Sequence, residues 1–415
     1  MPKIRRRVGE RKKIFNTMIP KNDGSGVKFS ENGKVLIRVP KDYQGEYIIP
    51  DGVVEIGDEA FRDCEGLISV SIPSSITEIG HRPFYGCKNL TKISTSLDNQ
   101  TYCSIDGVLF SKDKSTLIIY PNGKSGAYKI PNSVSAIEHK YKIYRFVNGV
   151  RIPENIKTDY GVFASCLGLT SIDIPESVIE LGDNIFSGCS NLASVTIGNG
   201  VTRIGDSAFS DCSGLTEIVV PYSVSEIGAY AFARCRKMSS VTLKCQISSI
   251  EKGTFCECDA LESIILPDGI EYINNEAFAN CKELTSISIP DSVTDIGGTC
   301  NFYHGYLGPF AQCSKLSSIS IGQKVSIIGE NAFQFCKNLE VIILPDSVED
   351  IGDNAFKACS KMTTIYLGKN VTHIGKGAFD YCSSLESISV PQGCKRQYEE
   401  MENLSMLKQL IHEKV

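Results

Sequence analysis

Residues 339–359 read LEVIILPDSVEDIGDNAFKAC. Ile342 and Leu344 alternate with Ile343, the period-two signature of a strand with one buried face. Pro345 ends that strand, since it has no N–H to give to a ladder. Val348 and Ile351 return inward at a tighter spacing. Gly352 permits a turn that a side chain would resist. Ala355 and Phe356 begin a second short turn, and Cys359 closes the unit.

The unit recurs along the chain. Its Phe-x-x-Cys end stands at Phe61/Cys64, Phe84/Cys87, Phe163/Cys166, Phe186/Cys189, Phe209/Cys212 and Phe232/Cys235, and continues at Phe255/Cys258, Phe278/Cys281, Phe310/Cys313, Phe333/Cys336, Phe356/Cys359 and Phe379/Cys382. From Phe163 to Phe278, and from Phe310 to Phe379, every step is 23 residues. A fixed period of that length with this Leu/Ile spacing predicts a leucine-rich repeat solenoid. One unit buries too little apolar surface to fold alone, so stability comes from stacking. The expected architecture is a right-handed stack with a parallel β-sheet on one face and short turns or helical turns elsewhere. The proline column, from Pro50 to Pro391, gives thirteen turns and a final strand. At one strand spacing per turn the stack is roughly 60 Å long.

The I-P-x-S-V-x-x-I-G-x-x-A-F-x-x-C runs, as in residues 289–297 and 344–359, resemble the BspA-type leucine-rich repeat family of bacterial and protist proteins. The likeness covers residues 26–391. It implies a solenoid that binds other macromolecules, commonly at a cell surface, and it implies no catalytic residues.

The chain has 415 residues, 42% hydrophobic, which suffices for a long core. Net charge is −5, unevenly placed. Residues 1–13 carry seven basic side chains against Glu10, a charge of +6, which leaves −11 on the remainder. An acidic body disfavours nucleic acid as a partner. Of 17 cysteines, twelve occupy one register of the repeat. Free cysteine is among the most buried residue types, so these are expected to form a ladder of reduced thiols inside the stack. Cys256 and Cys258 form a C-x-C pair near Cys245, but no second pair with zinc-ligand spacing accompanies them.

Residues 1–20 read as a basic flexible arm. No apolar run follows it, so neither a signal peptide nor a membrane-spanning segment is expected. Residues 21–60 hold an N-terminal hairpin cap, with Asn32-Gly33 as its turn signal, and the first repeat. The solenoid proper is assigned to residues 61–391. A related hairpin, flanked by Val108–Phe110 and Leu117–Tyr120, marks an insertion at 97–130. Residues 137–153 keep about the length of one turn but lose Phe and Cys, and read as a degenerate, basic and aromatic coil. At 298–309 the repeat carries nine extra residues rich in glycine and aromatics, among them Phe302, Tyr303, His304 and Tyr306. Residues 392–415 read as a C-terminal capping α-helix with Met401, Leu404, Leu407 and Ile411 on one face.

Outward strand positions are mostly Ser and Thr, but Val341, Ile343 and Tyr366 group on adjacent turns, as exposed apolar residues do at interaction sites. With the 298–309 loop they form the candidate partner-binding set. Five histidines lie in no zinc, hydrolase or nucleotide motif. No catalytic, cofactor-binding or metal residues are assigned and no cofactor is expected. The function expected is non-catalytic binding of a protein or glycan, as in adhesion or host interaction. The alternative is a structural or self-assembly module. An enzyme is a remote third reading, resting on Cys256, Cys258 and His304. No membrane insertion is expected, and a monomer is. As written the chain suits the cytoplasm, whereas the resemblance points to the cell surface.

Overall fold

The computed structural model describes residues 26–137, 161–297 and 307–414, with the backbone of two strands at Lys142–Val147 and Val150–Asn155. The repeat is a coil with three sides. On the first side a strand such as Val341–Ile343 pairs in parallel with the strand Thr364–Tyr366 of the next coil, Ile342 opposite Ile365. Both middle residues are buried while Val341 and Ile343 face out, as alternation dictates. The second side carries a two-residue strand. Ser249–Ile250, Tyr272–Ile273, Asp295–Ile296, Ile327–Ile328, Asp350–Ile351 and His373–Ile374 form a six-stranded parallel ladder. The sequence reading had one sheet; this second one escapes it because two residues are too few to show alternation.

The third side is the Phe-x-x-Cys turn. Two residues flanking the phenylalanine are left-handed, as in Asn354 (φ 55°) and Ala358 (φ 60°), which wraps the backbone around the ring. The rings from Phe163 to Phe379 stack at centroid separations of 5.0–5.8 Å. From Phe163 to Phe356 each of these phenylalanine N–H groups donates to the next coil, as Phe356 does to Ala378 at 2.9 Å. The cysteine adds a bond that composition could not reveal. Its thiol donates to the phenylalanine carbonyl of the preceding coil, at 2.9–3.3 Å, at Cys87 and at each repeat cysteine from Cys189 to Cys382. The ladder of small apolar groups is therefore also a ladder of donors that satisfies the carbonyls of Phe61 and of the phenylalanines from Phe163 to Phe356.

The chain forms about 15 turns, a parallel β-solenoid with few helices. The N-terminal hairpin is present, Lys28–Phe29 antiparallel to Val35–Arg38. In the insertion, Val108–Ser111 pairs antiparallel with both Thr116–Ile119 and Tyr102–Ile105. Its alternation partitions the core: Leu109 joins the cluster that runs from Val27 to Ile93, whereas Val108 and Phe110 join the one that continues to Ile411. Buried Asn99 staples the insertion to the stack. Its amide donates to the carbonyls of Pro73 (2.8 Å) and Ile76 (3.0 Å) and accepts from the N–H groups of Thr101 and Tyr102.

Two expectations need correction. Residues 137–153 are not a degenerate coil. The strand Gly126–Lys129 pairs directly with Leu169–Ile174, and Lys142–Val147 forms an antiparallel hairpin with Val150–Asn155. The terminal cap is not one α-helix either. It comprises an α-turn at Lys395–Glu399, a 3-10 helix at Glu402–Leu410 and a strand, Ile411–Glu413, parallel to Ser387–Val390. Leu404 and Ile411 are buried and Met401 and Leu407 pack beside them, so the apolar positions hold. Their i, i+3 spacing suits three residues per turn. Ile411 lies opposite Ile388, 23 residues earlier, so the repeat period runs to the end. Tyr398, wholly buried, donates its hydroxyl to the Gly368 carbonyl and ties the cap down.

Candidate interaction surface

The first side of the coils presents a sheet whose outward positions are set by the alternation described above. Ser288 and Ser320 lie on neighbouring strands, their hydroxyls 2.8 Å apart. Ser286 pairs with Ser318 beside them. The next two coils bring Val341, Ile343, Thr364 and Tyr366 together in one register. Val341 is 42% and Ile343 61% exposed, whereas Tyr366 is half-buried, with the Lys414 ammonium 5.6 Å from its ring centre. The terminal segment thus borders the patch. In the same outward column Val219 is 46% exposed and Ile265 87%. Neither belongs to the candidate set, although strand alternation alone places both outward. Their signal was the column itself, apolar residues where Ser and Thr prevail.

The other candidates, Phe302, Tyr303, His304 and Tyr306, lie outside the described residues. The chain departs after Gly297, at the end of the two-residue strand Asp295–Ile296, and returns at Gly308 and Pro309 just before Phe310. This corner joins the second and third sides of the coil. The patch around Ile343 belongs to the first side. Leu307, at the return, packs with Ala233, Cys256 and Ala279 in a small cluster outside the main core.

That cluster also separates the C-x-C pair. Cys256 belongs to it, whereas Cys258 sits in the main core and donates to the Phe232 carbonyl. The two thiols do not converge on a common ligand. Among the described residues no group of three or more His, Cys, Asp or Glu is arranged to hold a metal ion. Turn carboxylates are engaged by the next coil instead. Asp183 Oδ1 accepts the Asp206 N–H at 2.9 Å and the Arg203 guanidinium at 3.1 Å, and Asp206 Oδ1 accepts the Ala229 N–H at 2.9 Å. Among the described residues no helix is long and apolar enough to cross a membrane.

Burial raises the pKa of the core thiols, pushing Cys87, Cys189 and Cys313 up to about 12. A thiolate is the reactive form, so these groups are inert in the folded chain. Native protein at pH 7.5 is expected to leave the core cysteines unlabelled by iodoacetamide for hours, and all 17 are expected to react in denaturant. Mass spectrometry of the labelled peptides reads the difference. Rapid native labelling at Cys235 or Cys281 would contradict the packing.

A family model described as "BspA type Leucine rich repeat region (6 copies)" matches residues 43–126, 126–218, 182–307 and 308–413. Among solved structures, a leucine rich cell surface protein from Faecalibacterium prausnitzii A2-165 superimposes with a TM-score of 0.54 at 24% identity, covering 92% of this chain and 97% of that one. A leucine-rich repeat protein from Bacteroides ovatus ATCC 8483 aligns at 22% identity and TM-score 0.34, over 92% of this chain and 94% of its own. The pneumococcal vaccine antigen PcpA aligns at 17% identity and TM-score 0.43, over 86% of this chain and 80% of its own. No curated protein matches the chain. The repeat geometry and the family match along nearly its whole length agree: the chain belongs to the BspA-type leucine-rich repeat family.

Proposed function

We propose that the protein is a non-catalytic scaffold that captures a protein or glycan partner on its strand face. The observation that carries this reading is the exposed apolar group of Val341 and Ile343 beside Tyr366, on adjacent coils of a sheet whose outward positions are mostly serine and threonine. Side chains on a rigid parallel sheet lose little freedom on binding, and an apolar centre with a hydroxylated rim matches the anatomy of interfaces. The cell-surface description of the Faecalibacterium neighbour agrees with a capture role. The 298–309 segment, on another side of the coil, is the second element of the proposal.

Replacing Val341→Lys and Ile343→Glu together is expected to weaken partner capture at least tenfold with no change in thermal midpoint, because both side chains already face solvent. Quantitative pull-down from cells of the native environment, repeated with residues 299–306 deleted, assigns capture to the strand face, the loop or both. Capture that survives both changes refutes the site.

A further inference from the structure

The regular coils show what belongs between neighbouring Phe-x-x-Cys turns. Phe163 N–H donates to the Ile185 carbonyl at 3.1 Å and Phe232 N–H to Thr254 at 2.9 Å. The residue two further on does likewise, Ser165 to Ser187 and Arg234 to Cys256, each at 2.7 Å. Among the described residues no such coil backbone lies between the turn at 82–87 and the turn at 161–166. The inserted segment holds that level of the stack and supplies the ring of Tyr120, 4.9 Å from Phe163, and the side-chain amide of Asn122, which donates to the Ala164 carbonyl at 3.1 Å. Among the described residues the N–H groups of Phe84 and Gly86 therefore find no carbonyl. Tyr120 is 1% exposed, yet its hydroxyl has no hydrogen-bond partner. A cavity of about 390 Å³, lined by Tyr120, Phe84 and Gly86, occupies the place of the absent turn.

The lining decides the ligand. Among the described residues His81, Arg82 and Lys88 contribute to it, Lys88 while paired with Glu65 at 2.6 Å, and no aspartate or glutamate does. Ile119, Val162 and Leu167 give it an apolar wall. A buried donor without an acceptor, as the Tyr120 hydroxyl is, is costly, and a site of this size lies toward the lower end of the range for small molecules. We propose that this cavity binds a small apolar carboxylate. Its carboxyl oxygens take the place of the missing backbone carbonyls before Phe84 and Gly86 and accept from Tyr120. Its body lies against Val162 and Leu167. The site is independent of the strand face and of the partner proposed for it.

Calorimetric titration of the full chain tests this with 3-phenylpropionate, standing for a free acid, and N-acetylphenylalanine, standing for a peptide end, each against its amide. At least one acid is expected to bind, with its amide at least tenfold weaker, and the tighter of the two acids identifies the source. Tyr120→Phe is expected to weaken that acid about tenfold while leaving the thermal midpoint unchanged or higher, since it removes only an unsatisfied hydroxyl. Absence of binding by both acids, equal binding of acid and amide, or unaltered binding by Tyr120→Phe overturns the proposal.

Discussion

Raising the pH from 8 to 11 is expected to unfold the solenoid cooperatively, with a midpoint near pH 10. Burial raises the folded-state pKa of the core thiols above their ordinary value of 9.0, to about 12 for Cys87, Cys189 and Cys313, and well above it for Cys166, Cys212 and Cys258 too. Their stabilisation is complete below pH 9 and is lost as the pH climbs from 9 towards 12, because the unfolded chain releases protons that the folded chain retains. One pH unit above the unfolded value, each thiol costs roughly 1.4 kcal/mol. Ten thiols donate to phenylalanine carbonyls. Together they amount to on the order of 10 kcal/mol at pH 10, comparable to the whole stability of a typical domain. Circular dichroism of the sheet and thiolate absorbance near 240 nm should change in one transition. Thiolate absorbance that develops fully while the sheet signal persists would mean that water reaches the ladder.

Phe232→Ala should destabilise the protein by about 3–5 kcal/mol, the cost of a large cavity in a packed core. The ring is fully buried and stacked on both sides, 5.4 Å from Phe209 and 5.6 Å from Phe255. Phe379→Ala, at the end of the ladder with one ring neighbour at 5.8 Å, should cost about half as much. Solenoid stability is close to a sum of nearest-neighbour terms, so the central variant should also split urea unfolding into two transitions where the terminal one shifts a single transition. Equal losses and a single transition in both variants would show that the stack melts as one unit regardless of position.

Much of the fold is legible because the 23-residue period repeats the same physical instruction. The strand alternation at Ile342 and Leu344, the phenylalanine column and the Asn32-Gly33 hairpin all follow from local pattern. The excursion at 142–155 was concealed by that regularity. Its length imitates a coil, which masked the Asn148-Gly149 pair between two apolar runs, a strong hairpin signal in its own right. The terminal strand was hidden by i, i+3 spacing that also fits a helix, although Ile388 and Ile411 keep the period. Of the candidate site, Val341 and Ile343 were readable from alternation alone. The cavity beside Tyr120 was not, because it is defined by carbonyls that a regular coil would have supplied and the hairpin does not.

Nine extra residues enter between Gly297 and Phe310, yet Ser286 still pairs with Ser318 and Cys313 still donates to Phe278. The hairpin of Lys142–Val147 with Val150–Asn155 likewise leaves Ala127 opposite Ser171. Corners of the coil therefore act as sockets. New peptide can be plugged in there, exchanged or lengthened over evolutionary time, and the frame beneath does not register the change.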